Sequence, residues 1–99
     1  MARSVRYHPL FESDVRNAAD WYDGRSPGLG TDFVFRVRAT VDRLLADPAR
    51  HSTAEFGIRY LPVERFPYIV FYDLTEVEVL VVGVMHTSQE SEKWFANRE

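Results

Sequence analysis

Four side chains in this 99-residue chain have the chemistry of a reactive site. His86 closes a long apolar run and can give or take a proton near neutral pH. Arg59 and Arg65 flank a turn in that run, and their guanidinium groups can hold a phosphate or a carboxylate. Glu64 stands beside them as a carboxylate. An acid–base group with cations is what cleavage beside a phosphate requires. Each residue also has a plainer use. A histidine at a strand end commonly bonds a nearby carbonyl, surface arginines commonly pair with acids across strands, and a glutamate in a turn is commonly solvated.

Other chemistries lack their parts. There is no cysteine, so no thiolate nucleophile, thiolate zinc site or disulfide framework is available. His8, His51 and His86 have no metal-ligand spacing, and Gly28-Leu29-Gly30 is too short for a phosphate-cradling loop. No cofactor is expected. Arg36, Arg38 and Arg43 read as a solvated helix face with Asp32, Asp42 and Asp47. The aromatics Tyr60, Phe66, Tyr68, Phe71 and Tyr72 alternate as core residues do, which outweighs a role in stacking on bases.

The elements that position these residues are legible in the pattern. From Ile58 to His86 the chain is apolar, broken at Pro62-Val63-Glu64-Arg65 and at Asp73-Leu74-Thr75-Glu76. The spacing predicts an antiparallel meander over 57–62, 66–73 and 76–85. On the middle strand Phe66, Tyr68, Val70 and Tyr72 share one face, with Ile69 and Phe71 on the other. On the last, Val77, Val79, Val81 and Met85 oppose Leu80, Val82 and Val84. Both faces are apolar, so both need cover.

Upstream, Ser4–Tyr7 alternates as a short strand before His8-Pro9. Phe11, Val15, Ala18 and Tyr22 form a helical stripe, widened by Trp21 and stopped by Gly24. Ser26-Pro27 reads as an N-cap with proline at the first helical position. A second stripe follows at Phe33, Val37, Val41, Leu44 and Leu45, ending before Pro48. The two helices form an αα-hairpin that covers one sheet face, giving a two-layer α+β domain over 1–99. If the chain runs up a strand, down one helix and up the next, the second strand should oppose the first. Residues 49–56 are a polar loop. Trp94 and Phe95 anchor a short C-terminal helix that covers part of the second face.

Bulk properties narrow the class. Hydrophobic residues are 45% of the chain, ordinary for a folded domain. The formal net charge is −3, which disfavours general binding to nucleic acid. Eleven of the twelve basic residues are arginines, Lys93 being the exception. No run is long enough to span a membrane and the N-terminus has no signal-peptide core, so a soluble cytoplasmic protein is expected.

The order of elements, the pattern Arg59, Leu61, Pro62, Pro67, Tyr68, Val70, Phe71, Tyr72, and the triplet His86-Thr87-Ser88 resemble the RelE/ParE superfamily of bacterial toxins. The likeness covers nearly the whole chain and is closer to the ParE-like, plasmid-stabilisation branch. It implies one sheet with the helices packed on one face. It also implies a cytoplasmic antitoxin partner, in a hetero-oligomer, whose segment supplies missing apolar cover. Arg59, Arg65, Trp94 and Phe95 are the residues expected to meet a partner. The family divides between toxins that act on DNA gyrase and ribosome-dependent mRNA endonucleases. The positions matching the basic cluster of RelE-type nucleases are Tyr60, Pro62 and Ile69, none of them basic. His86 matches a functional histidine of YoeB-type nucleases, which would give His86, Arg59 and Arg65 as the catalytic set. Many members carry an arginine and an acid after the triplet, where this chain has Gln89 and Glu90. The balance favours a docking toxin; the alternatives are an endonuclease, or a non-toxic relative that only binds antitoxin.

Overall fold

The apolar run folds as the expected meander. In the computed structural model, which describes residues 3–54 and 57–98, β1 (Ser4–Tyr7) is followed by α1 (Phe11–Arg25) and α2 (Leu29–Ala46). Then come β2 (Arg59–Pro62), β3 (Tyr68–Leu74), β4 (Glu78–His86) and a short α3 (Ser91–Ala96). The strands lie in the order β1-β4-β3-β2. β2 pairs antiparallel with β3, and β3 with β4. β1 pairs parallel with β4, Ser4 opposite Glu78 and Tyr7 opposite Val81.

That pairing corrects the expected strand direction. β1 and β2 both run parallel to β4, so they run parallel to each other. The reason is that α1 does not reverse the chain. Tyr7 pairs with Val81, Asp14 meets Val84, and Tyr22 packs on Tyr68, the partner of His86, so α1 advances in the direction of β4. α2 then descends, from Phe33 beside Tyr68 to Pro48, whose carbonyl accepts the Tyr72 hydroxyl at 2.6 Å. β2 starts from that lower end and must rise.

The helix boundaries also differ from expectation. Gly24 lies inside α1, which continues to Arg25. Ser26 is extended at the C-cap of α1, and α2 begins after Gly28, whose φ of 90° favours glycine. Asp23 does the capping across the hairpin: its Oδ1 accepts the Gly30 N–H at 2.8 Å, one of the donors that a helix start leaves unpaired. Trp21 does not join the apolar side; it is 55% exposed, with Arg25 stacked on its ring.

The first core fills the space between hairpin and sheet. Phe33, Val37, Val41 and Leu44 of α2 meet Val70, Tyr72, Val79 and Val81, with Phe11 and Val15 partly buried against them. On β3 the alternation holds as read. On β4 a bulge opposite Phe71 and Tyr72 inserts a residue and swaps the faces beyond it. Val84 therefore joins Val79 and Val81 under the helices, while Met85 joins Val82 and Phe71 in the second core. Strict alternation puts both on the wrong side. Trp94 completes the second core, with Phe95 and Tyr60 packed on it, while Ile69 and Leu80 stay partly buried, so α3 covers part of that face as expected.

Burial raises the ionisation range of three tyrosines. Loss of solvent pushes the phenols of Tyr22, Tyr68 and Tyr72 above the ordinary value of 10.0. For Tyr68, the neighbouring Tyr22 adds to the effect. The proton leaves the unfolded chain first, so this contribution is complete below pH 10.0 and is lost as pH rises through the higher folded values. Tyrosinate absorbance should therefore develop together with loss of helix signal above that pH. Full ionisation of all five tyrosines with the helix signal intact would contradict it.

Candidate functional site

The end of the sheet where β4 stops is built by three segments. The β2–β3 turn, the last residue of β4 and the chain after it meet there, because the Thr87 N–H donates to the Pro67 carbonyl at 2.9 Å. The turn is held from below: Val63 is buried, and Phe66 packs on Phe33 and Tyr22 at ring distances of 5.1 and 4.9 Å. The Val63 N–H donates to the Tyr68 carbonyl, closing the hairpin.

His86 sits on this end opposite Tyr68, with the two rings edge to face at 5.0 Å. Its Nδ1 accepts the Ser88 N–H at 3.0 Å and lies 2.8 Å from the Ser88 hydroxyl. The neutral ring therefore carries its proton on Nε2. The backbone N–H of His86 donates to Gln89 Oε1. So His86-Thr87-Ser88 forms a local turn in which the imidazole is an acceptor, bonded to an N–H and a hydroxyl where a carbonyl was expected.

Arg59 is elsewhere and occupied. Its Nη1 donates to the carbonyls of His51 at 2.7 Å and Ala49 at 3.2 Å, tying the polar loop to β2. It stands opposite Tyr72, three residues back along β2 from Pro62, or about 10 Å at the rise of a strand. Arg65 is exposed on the turn, at the same end as His86. Glu64 reaches Arg36 at 3.4 Å, and Arg36 also faces Asp32 at 3.9 Å. Arg36 is therefore a half-buried link from α2 to the turn, where a solvated residue was expected, while Glu64 is largely solvated as read. Of the residues matching the RelE basic cluster, Tyr60 packs on the second core and Pro62 pairs with Ile69 at the end of β2. Trp94 is 7% exposed and acts as a packing residue, with Phe95 half-buried beside it. Among the described residues, no group of histidines and acids could hold a metal ion.

Two features gave no signal in the sequence. Asp14 of α1 and Arg98 after α3, 84 positions apart, form a buried ion pair. Their free valences seal the edge of β4 beyond β1: the Val84 N–H donates to Asp14 Oδ2, and Arg98 Nη1 reaches the Val82 carbonyl. The second feature is a groove of about 780 Å³ between α1 and α2, ending at the edge strand β1. Its apolar floor includes Phe11, Val15, Val34, Val37 and Val41.

The model of the ParE toxin of the type II toxin–antitoxin system parDE matches residues 5–91. The chain belongs to the ParE toxin family. Its fold is similar to a solved chain described as "Chromosomal ParDE TA system from P. aeruginosa", with a TM-score of 0.76 at 18% identity. The match covers 86% of this chain and 96% of that one, and at this identity it speaks for the fold alone. No curated protein matches the sequence. As in the expected ParE-like architecture, the strand, the helix pair and the meander form one sheet with the hairpin on one face. No helix among the described residues is long and apolar enough to cross a membrane.

Proposed function

We propose that this ParE-family chain is a toxin that docks on a cellular protein, DNA gyrase being the target that the resemblance implies, and that an antitoxin neutralises it in the cytoplasm. The observation that carries this reading is the position of Arg59. Its guanidinium is held through Nη1 by the carbonyls of Ala49 and His51, away from the sheet end that holds His86. Cleavage of RNA needs the acid–base group and the phosphate-binding cations around one reacting centre. Here the histidine and the two arginines do not converge.

The antitoxin is assigned to the α1–α2 groove, where its segment would lay apolar side chains against Val15 and Val37. Glu12, Arg16, Arg38 and Asp42 line the same groove and offer polar contacts of both signs. Of the four partner-facing residues expected from sequence, Arg65 and Phe95 keep surface for contact. Arg59 and Trp94 would act indirectly, by holding the loop and the C-terminal helix.

Growth inhibition by His86→Ala, at matched soluble expression, tests the mechanism. A docking toxin should keep nearly full toxicity, because the imidazole bonds within its own turn and packs on the Tyr68 ring. Complete loss at an unchanged melting temperature, with mRNA cut at ribosomes by the wild type, would establish the endonuclease reading instead. Inhibition of DNA supercoiling by purified gyrase tests the target.

A further inference from the structure

Arg65 is the one non-glycine residue among those described with a positive φ, at 70°. That region crowds the side chain of any L-residue, and a bulky residue there is a true outlier. Glycine or asparagine would meet the turn's demand without the penalty. A strained residue persists when its surroundings force it, and such residues concentrate at functional sites. The surroundings here do force it. Val63 and Phe66 are set into the core on either side, and Pro62 and Pro67 stiffen the approaches. The Val63 and Tyr68 N–H groups are both bonded within the hairpin.

The frame thus fixes the backbone of Arg65 while its side chain stays in solvent. The nearby acids do not use it. Glu64 and Asp32 both turn to Arg36, and among the described residues no ion pair includes Arg65. An arginine on a rigid, strained turn has little backbone freedom left to lose on binding, and its fork matches a carboxylate with two parallel hydrogen bonds. We infer that Arg65 is a contact this toxin presents to its protein target, and that it takes an acidic side chain there. The inference rests on the docking reading given above. Arginine is among the residues that dominate protein interfaces, and a single well-placed one changes affinity tenfold or more.

The strain supplies an unusual test, because the same substitution should move stability and function in opposite directions. Arg65→Gly and Arg65→Asn both suit a positive φ and remove the guanidinium, whereas Arg65→Lys keeps a cation without the fork. The glycine and asparagine variants should melt at or above the wild-type temperature. At matched expression, each should need at least about tenfold more protein to inhibit growth equally, with Arg65→Lys between them and the wild type. Full toxicity in Arg65→Gly and Arg65→Asn would overturn the inference. So would a lower melting temperature in both, since the arginine would then be a structural residue. Ribosomal mRNA cleavage followed in the same cells separates the two ideas. Cleavage by the wild type sinks the docking reading and this inference with it, whereas a toxic, non-cleaving wild type indifferent to Arg65 sinks only the inference.

Discussion

Asp14→Ala is expected to cost about 3–5 kcal/mol of folding stability, the usual effect of removing one member of a buried ion pair. The Asp14 and Arg98 side chains are only 13% and 8% exposed, so solvent can replace the lost partner only in part. Arg98 would keep its place on the Trp94 ring, 4.0 Å away, as an uncompensated charge. The Val84 N–H would also lose its acceptor on the unpaired edge of β4. Gly83 shows how tightly the site is built: a Cβ there would lie 2.5 Å from Asp14 Oδ2 and 2.9 Å from Trp94. Asp14→Asn should cost less than alanine, because an amide oxygen can still accept from Val84. The double variant Asp14→Ala/Arg98→Met should recover part of the loss by removing both charges together. Urea unfolding of the three variants measures this. If Asp14→Ala unfolded within about 1 kcal/mol of wild type, the pair would not be the fastening that holds the C-terminal segment.

Phe33→Ala should have an effect of the same size, about 3–5 kcal/mol, from lost burial and the cavity left behind. Phe33 is fully buried at the point where hairpin and sheet meet. Its ring lies 5.4 Å from Tyr22, 5.1 Å from Phe66 and 4.9 Å from Tyr68, so three further aromatics lose a neighbour. A domain of this kind has only about 5–15 kcal/mol in total, so the variant should be near unfolding at growth temperature. The two large effects should differ in what they loosen. Phe33→Ala removes support from Phe66, hence from the turn that carries Arg65, whereas Asp14→Ala removes the tie of Arg98 to α1 and so loosens α3. Hydrogen exchange at sub-denaturing urea should show the first loss at Val63–Tyr68 and the second at β4 and α3. A melting temperature for Phe33→Ala within a few degrees of wild type would contradict its central place in the core.

Much of the fold was written in periodicity. The stripe at Phe33, Val37, Val41 and Leu44 and the alternation through Tyr68, Val70 and Tyr72 placed these residues on the correct inner faces. Such patterns are reliable because the 3.6-residue and two-residue repeats are properties of the local backbone, and burial selects apolar residues at those repeats. Local capping chemistry was less decisive. Ser26-Pro27 resembled a helix start, yet an acid seven residues from its donor, Asp23, caps α2 across the hairpin.

What only the tertiary structure decided depends on contacts that no local repeat encodes. The parallel seat of β1 beside β4 followed from α1 continuing forward, which set the direction of β2 as well. One inserted residue in β4 reversed the faces of Val84 and Met85, because a register shift by one exchanges the sides of a strand. The candidate site was decided in the same way. His86, Arg59 and Arg65 were visible as residue types, but whether they met depended on where Arg59 found its hydrogen bonds, and it found them in the loop at Ala49 and His51. Asp14 and Arg98 are ordinary charges in the sequence. They become a fastening only because folding brings positions 84 apart together in a largely buried place, where each charge favours the other.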